Sequence, residues 1–142
     1  MTDLIEVRVS NLTGLALDWA TGIADGRELE LPGAVRGRNN VVWCDPFVVK
    51  RDGRPDFHDK TRRKWQPSTD WSAGGPLIDK HLGSIHHNPH LEDSSCRYSA
   101  GPAGAGIWLY GPTALIAFCR TLVLTKLGDT VQVPKELITC PA

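Results

Sequence analysis

Between Pro112 and Gly128 the residues Leu115, Ile116, Cys119, Leu122, Val123 and Leu127 recur at helical spacing, and only a helix gathers them on one face. Pro112 suits a first helical turn, where its missing N–H costs nothing, and Gly128 supplies a stop. A stripe this apolar has to be covered by another layer. The N-terminal segment offers one. Ile5, Val7 and Val9 alternate with Glu6 and Arg8, the pattern of a half-buried strand. Ser10 then offers an N-cap, and Leu12, Leu15, Ala16, Trp19 and Ile23 follow at helical spacing until Gly26. Val131 and Val133 alternate after the last helix, giving a short strand that Pro134 confines to an edge or an end. The spacing predicts helices over 11–25 and 112–127, packed on a sheet that contains the strand near Ile5, with Leu115, Ile116, Cys119, Leu122 and Val123 buried.

The middle of the chain gives shorter signals. Val41, Val42, Phe47, Val48 and Val49 read as two strand pieces broken by Asp45-Pro46. Arg97 and Tyr98, then Ile107, Trp108 and Leu109, read as another pair around the turn-rich Gly101 to Gly106. That glycine spacing is wrong for a dinucleotide turn and no Lys-Ser/Thr follows, so a hairpin loop is expected. A chain of 142 residues buries about two thirds of its unfolded surface without staples. The expectation is one α+β domain over 1–142, with two main helices packed on a small mixed sheet.

Sixteen basic residues balance sixteen acids, which argues against general nucleic-acid binding. No apolar run reaches the ~18 residues of a membrane span, and the first residues alternate rather than form a leader, so a cytoplasmic protein is expected. Cys44, Cys96, Cys119 and Cys140 are widely spaced without a CxxC pair, which fits reduced thiols. The charge is unevenly spread. Residues 1–32 hold six acids and two bases, whereas 50–65 hold seven bases (Lys50, Arg51, Arg54, Lys60, Arg62, Arg63, Lys64) against three acids. With Gly53 and Pro55 and no apolar period, 50–65 reads as a basic loop, either simply solvated or a flap that attracts an anionic ligand.

Ser68, Thr69 and Asp70 have side chains that bond nearby amides, so they build a turn or cap a helix opened by Gly74, Gly75 and Pro76. Trp65 and Trp71 flank it. The turn is either structural, anchored by a packed Trp, or one wall of a pocket in which glycines admit a ligand and Trp stacks on it. Trp19 belongs to a core stripe, leaving Trp43, Trp65, Trp71 and Trp108 as stacking surfaces. Arg120, Thr121 and Lys126 lie off the apolar face of their helix, and Arg97 and Tyr98 lie in a predicted strand. Such residues are commonly surface or salt-bridged, but Arg97 and Arg120 could also grip a phosphate bidentately. The candidate ligand set is therefore Trp65, Ser68, Thr69, Asp70, Trp71, Gly74, Gly75, Arg97, Tyr98, Trp108 and Arg120. His81, His86, His87 and His90 lack the helical spacing of a zinc protease, and Asn88 and Pro89 make the segment a loop, so neither metal nor cofactor is expected. Cys119, on an apolar face, reads as a buried inert thiol.

Four motifs, LTGLALDWA (Leu12 to Ala20), PSTDWSAGGPLID (Pro67 to Asp79), GPTALIAFCR (Gly111 to Arg120) and LTKLGDTVQVP (Leu124 to Pro134), occur in an order that resembles the phage ABA-sandwich family, small proteins of tailed phages and prophages. The resemblance implies a single α/β/α sandwich made inside a bacterial host, in a family of unknown biochemical function. Arg27 to Trp65 is longer and more basic than the resemblance implies, and Ser84 to Ala105 is richer in His and Gly. A specialised role is expected in those two places or facing them.

Three function classes follow. The residues fit a non-catalytic small-molecule binder best, since they form no nucleophile, acid–base pair or metal set. In the phage setting that the resemblance implies, the expected ligand is a host nucleotide immune signal, an ADP-ribose derivative or cyclic nucleotide, sequestered without cleavage so that antiphage defence is blunted. The alternatives are an accessory protein acting by protein–protein interaction, and a nucleotide-cleaving enzyme using Asp70, His86 or His87. A homo-oligomer, most simply a two-fold dimer, is expected because a neighbouring chain can close a pocket.

Overall fold

The structure is a computed structural model that describes residues 3–33 and 39–138; Cys140 lies outside the described residues. The C-terminal stripe forms the central helix of the fold, Ala114–Leu127, which starts where Thr113 accepts the Ile116 amide at 3.2 Å. This helix is buried on two sides. Cys119 and Val123 enter one apolar cluster, while Ala117, Phe118 and Leu122 enter another. Leu115, Cys119, Leu122 and Val123 are buried as expected, and Ile116 packs partly buried against the first cluster.

In chain order, the first cluster is built from β1 (Leu4–Arg8), α1 (Gly14–Ala24) and the last strand, Thr130–Pro134, which pairs antiparallel with β1 so that Ile5 faces Val133 and Val7 faces Val131. The helix begins at Gly14 rather than residue 11, because Val9–Asn11 forms a 3-10 turn and Thr13, not Ser10, stands at the cap.

The second cluster anchors a long hairpin. β2 (Leu29–Glu30), β3 (Val41–Val49) and β4 (Phe57–Trp65) form one antiparallel sheet, with Val41 opposite Trp65 and Val49 opposite Phe57. Val41, Val42 and Trp65 are buried at its base, whereas every other residue of β4 is exposed. Two sequence expectations are corrected here. Asp45-Pro46 does not break the strand: Pro46 lies beyond the end of β2, where β3 has a neighbour on one side only and a missing N–H is tolerated. The basic segment 50–65 is a loop only up to residue 56, since from Phe57 it pairs with β3. Its cations find acids that are remote in sequence: Lys60 with Glu28, Arg62 with Glu30 and Arg63 with Asp45.

α2 (Trp71–Lys80) follows, with the Asp70 carboxylate accepting the Ser72 amide at 2.9 Å. Gly74, Gly75 and Pro76 therefore lie inside the helix rather than opening it. Gly74 allows close packing, because a Cβ there would lie 2.5 Å from the Pro67 carbonyl oxygen and 2.6 Å from a Leu115 methyl. β5 (Ser84–His87), β6 (Tyr98–Gly101) and β7 (Leu109–Gly111) form a third antiparallel sheet against the central helix, which is α3 in chain order, and the strand after it is β8. His86 and His87 thus stand on a strand, not in a loop, because Ser84 to His87 pair with β6. The turn-rich 102–108 joins β6 to β7 as a hairpin connection.

The architecture is α+β. The single mixed sheet expected from sequence is instead three small sheets, and every strand pairing among the described residues is antiparallel. No helix among the described residues is long and apolar enough to cross a membrane.

Candidate functional site

The chain leaves α1 through a compact stop. Gly26 adopts a positive φ of +76°, and the amides of Gly26 and Arg27 donate back to the carbonyls of Ile23 and Gly22. This reversal carries Arg27 onto the hairpin base. Its guanidinium carbon lies 3.9 Å from the centre of the Trp43 ring and 4.2 Å from that of Trp65, and the two rings meet edge-on, 5.8 Å apart. Nε of Arg27 donates to Asp25 at 2.8 Å. Its two terminal nitrogens have no partner among the described residues.

Asp25 is the hub. Its side chain is 1% exposed and also takes Lys80 Nζ at 2.9 Å and His81 Nε2 at 2.8 Å. Burial pushes the Asp25 pKa upward, yet the bonds from Lys80, His81 and Arg27 outweigh it and hold the carboxyl below the usual carboxylate range. Around this hub opens a cleft of about 410 Å³, lined by Asp25, Arg27, Glu28, Trp43, Cys44, Lys60 and Lys80 among others. Lys60 pairs with Glu28 across the cleft at 2.6 Å, with both side chains more than half exposed. Cys44 donates its thiol to Glu30 at 3.0 Å, and burial with that carboxylate pushes its pKa up to about 11, which leaves it a poor nucleophile at neutral pH. Cys119, fully buried, is pushed up to about 12.

A second polar joint lies further back along α1. The Ser68 amide donates to the buried Asp18 carboxylate, and Trp65 Nε1 donates to the Asp18 carbonyl, both at 2.9 Å. Burial raises the Asp18 pKa to about 6, against the pull of the Ser68 bonds. The LTGLALDWA and PSTDW motifs therefore meet in space, and the joint fixes α1 to the end of β4.

The eleven residues proposed from sequence are dispersed. Trp65 and Ser68 are buried at this joint, Thr69 is exposed on the turn, and Asp70 caps α2. Trp71, 56% exposed, and Gly75 line a different groove of about 510 Å³. Gly74 is packed against the Pro67 carbonyl and Leu115. Arg120 spends its guanidinium on backbone, with Nε on the Leu12 carbonyl at 2.8 Å and Nη1 on that of Tyr110 at 2.9 Å. Arg97 is exposed just after the 3-10 turn Ser94–Cys96, Tyr98 lies against His87 with ring centres 5.1 Å apart, and Trp108 covers Gly101. Only Trp65 of this set touches the Arg27 cleft. Sequence reading passed over Arg27 and Lys80. The available signal was the order helix, Asp25-Gly26, Arg27, since a glycine stop folds the residue after it back along the helix. Among the described residues, no three His, Cys, Asp or Glu side chains gather as a metal site.

The family model described as Bacteriophage P22, NinX matches residues 8–126, from the end of β1 to the last turn of α3. No curated protein matches the chain. The matched span contains α1, the hairpin, the cleft and α2 as well as most of the central helix, so the chain is a phage accessory protein and belongs to the bacteriophage P22 NinX family.

Proposed function

We propose that the chain captures a small anionic ligand in the Arg27 cleft and does not transform it. One observation carries this reading: a planar guanidinium is stacked on two Trp rings and fixed on one edge by buried Asp25, while its terminal nitrogens are unpartnered among the described residues. That is a preorganised half of a bidentate phosphate contact. Lys60 and Lys80 bring two further cations to the same cleft, and the Lys60–Glu28 pair is exposed enough on both sides that a ligand phosphate can compete for it. The ligand class that suits this chemistry and a phage accessory role is a host nucleotide immune signal, an ADP-ribose derivative or a cyclic nucleotide, held intact and so withdrawn from antiphage defence. The Cys44 thiol, protonated at neutral pH, supports binding over covalent chemistry.

Calorimetric titration with ADP-ribose and with cyclic AMP tests it. Binding of at least one probe is expected, and Arg27→Lys, which keeps the charge but loses the fork, should weaken it about tenfold or more in a protein of unchanged circular dichroism. The probe should be recovered intact by mass spectrometry. Absence of binding by the unmodified protein, or equal affinity in Arg27→Lys, would overturn the placement, and a cleaved probe would replace capture by hydrolysis.

A further inference from the structure

The cleft that holds Arg27 is not uniformly cationic. Glu28, the next residue, lines the same cleft, and its Oε2 meets Lys60 Nζ at 2.6 Å. The dipeptide is pinned on both sides: the Arg27 amide donates to the Gly22 carbonyl and the Cys44 amide donates to the Glu28 carbonyl, each at 2.9 Å. A guanidinium fork and a carboxylate therefore leave one fixed stretch of backbone side by side. The other acids at this corner are already committed. Asp25 is buried under Arg27, Lys80 and His81, and Glu30 takes Arg62 and the Cys44 thiol. Glu28 alone of the three is more than half exposed, and its cation is one that a bound phosphate would recruit.

That arrangement sets a condition on the ligand. A phosphate that draws Lys60 away leaves the Glu28 carboxylate next to it without its cation, and two anions at close range repel. A carboxylate is an acceptor only, so the ligand relieves the repulsion if it brings hydroxyl donors beside its phosphate, and a pair of vicinal hydroxyls matches the two carboxylate oxygens. We propose that Glu28 is a specificity residue of the cleft, accepting the vicinal hydroxyls of a ribose while Arg27 and Lys60 hold a phosphate of the same ligand. A cyclic nucleotide has at least one hydroxyl of that pair esterified, whereas an ADP-ribose derivative keeps free pairs, so the cleft selects the latter. This inference rests on the reading of the Arg27 cleft as a site of anion capture.

Calorimetric titration of the unmodified chain and of Glu28→Gln with ADP-ribose and with cyclic AMP tests it. The unmodified protein should bind ADP-ribose about tenfold or more tighter than cyclic AMP. Glu28→Gln, an exposed change that should leave circular dichroism native, removes the charge and one of the two equivalent acceptors. It should weaken ADP-ribose about tenfold while cyclic AMP binds no more weakly than before, because Lys60 is then free of its carboxylate. Cyclic AMP bound as tightly as ADP-ribose, or bound alone, overturns the role of Glu28 and leaves anion capture standing. A variant that shifts both ligands alike also overturns it: both weaker marks a structural residue, and both tighter marks one that only opposes phosphate. Failure of both ligands to bind the unmodified protein overturns capture and this inference together.

Discussion

The C-terminal ends of α1 and α2 share one backbone solution and use it for opposite purposes. Each closes with two amides folded back onto the last turn and one residue at positive φ. At α1 that residue is Gly26, and the geometry serves to deliver Arg27 to the Trp43–Trp65 corner. At α2 it is Leu82, and the geometry holds an apolar side chain out in solvent. The two ends also touch, since Lys80 and His81 of the second reach Asp25 of the first. A carboxylate at a helix C-terminus opposes the helix dipole, and here the bonds from Lys80, His81 and Arg27 offset both that and its burial. The same local motif is therefore an interior joint at one end and a surface feature at the other, and the residue at the left-handed position tells which.

The largest effect should come from breaking the joint. Asp25→Ala removes the acceptor that Arg27, Lys80 and His81 share, and we expect it to lower unfolding stability by about 1.5–3 kcal/mol in urea titrations at neutral pH. Because the folded Asp25 pKa lies below its ordinary value, its contribution is present above about pH 4 and is lost as pH falls further. The Asp25→Ala protein should accordingly lose less stability than the unmodified one on acidification, and a parallel pH profile would show that the cluster does not act through this carboxylate. Gly26→Leu should come next. A Cβ at 26 meets nothing within 4 Å, so only the left-handed φ resists it, and a loss of about 1 kcal/mol is expected. The smallest effect carries the opposite sign. Leu82→Gly relieves strain and should change stability by no more than about +0.5–1 kcal/mol. A loss as large as that of Gly26→Leu would mean that Leu82 packs on its own fold, and the contrast between the two ends would disappear.

Much of the frame was legible because it rests on local periodicity. Leu115, Cys119, Leu122 and Val123 fix a buried helix wherever it packs, and Ile5, Val7, Val131 and Val133 need only each other's alternation to be recognised as strand. The hairpin was half legible. Its β3 valines were read as strand, but nothing in Lys60 to Lys64 marks β4, whose only buried residue is Trp65. The cleft was less legible still. Trp43, Trp65 and Lys60 were noted for aromatic or basic character, but Arg27 and Lys80 acquire meaning only through Asp25, which joins two helix ends that lie 55 residues apart.

By itself, then, the sequence determined that α1, α3, β1 and β8 exist and which of their faces are apolar, since those free energies arise between residues a few positions apart. Tertiary structure decided the rest. The pairings of Lys60 with Glu28 and Arg62 with Glu30 span 32 residues, and β4 is a strand only because β3 lies beside it. Such contacts have no energy until the segments have been brought together, so no local pattern records them. Leu82 is the sharpest case: no local pattern marks it for a positive φ, yet the reversal after α2 sets it at +52°, while the glycine beside it, Gly83, packs against Phe118 of α3.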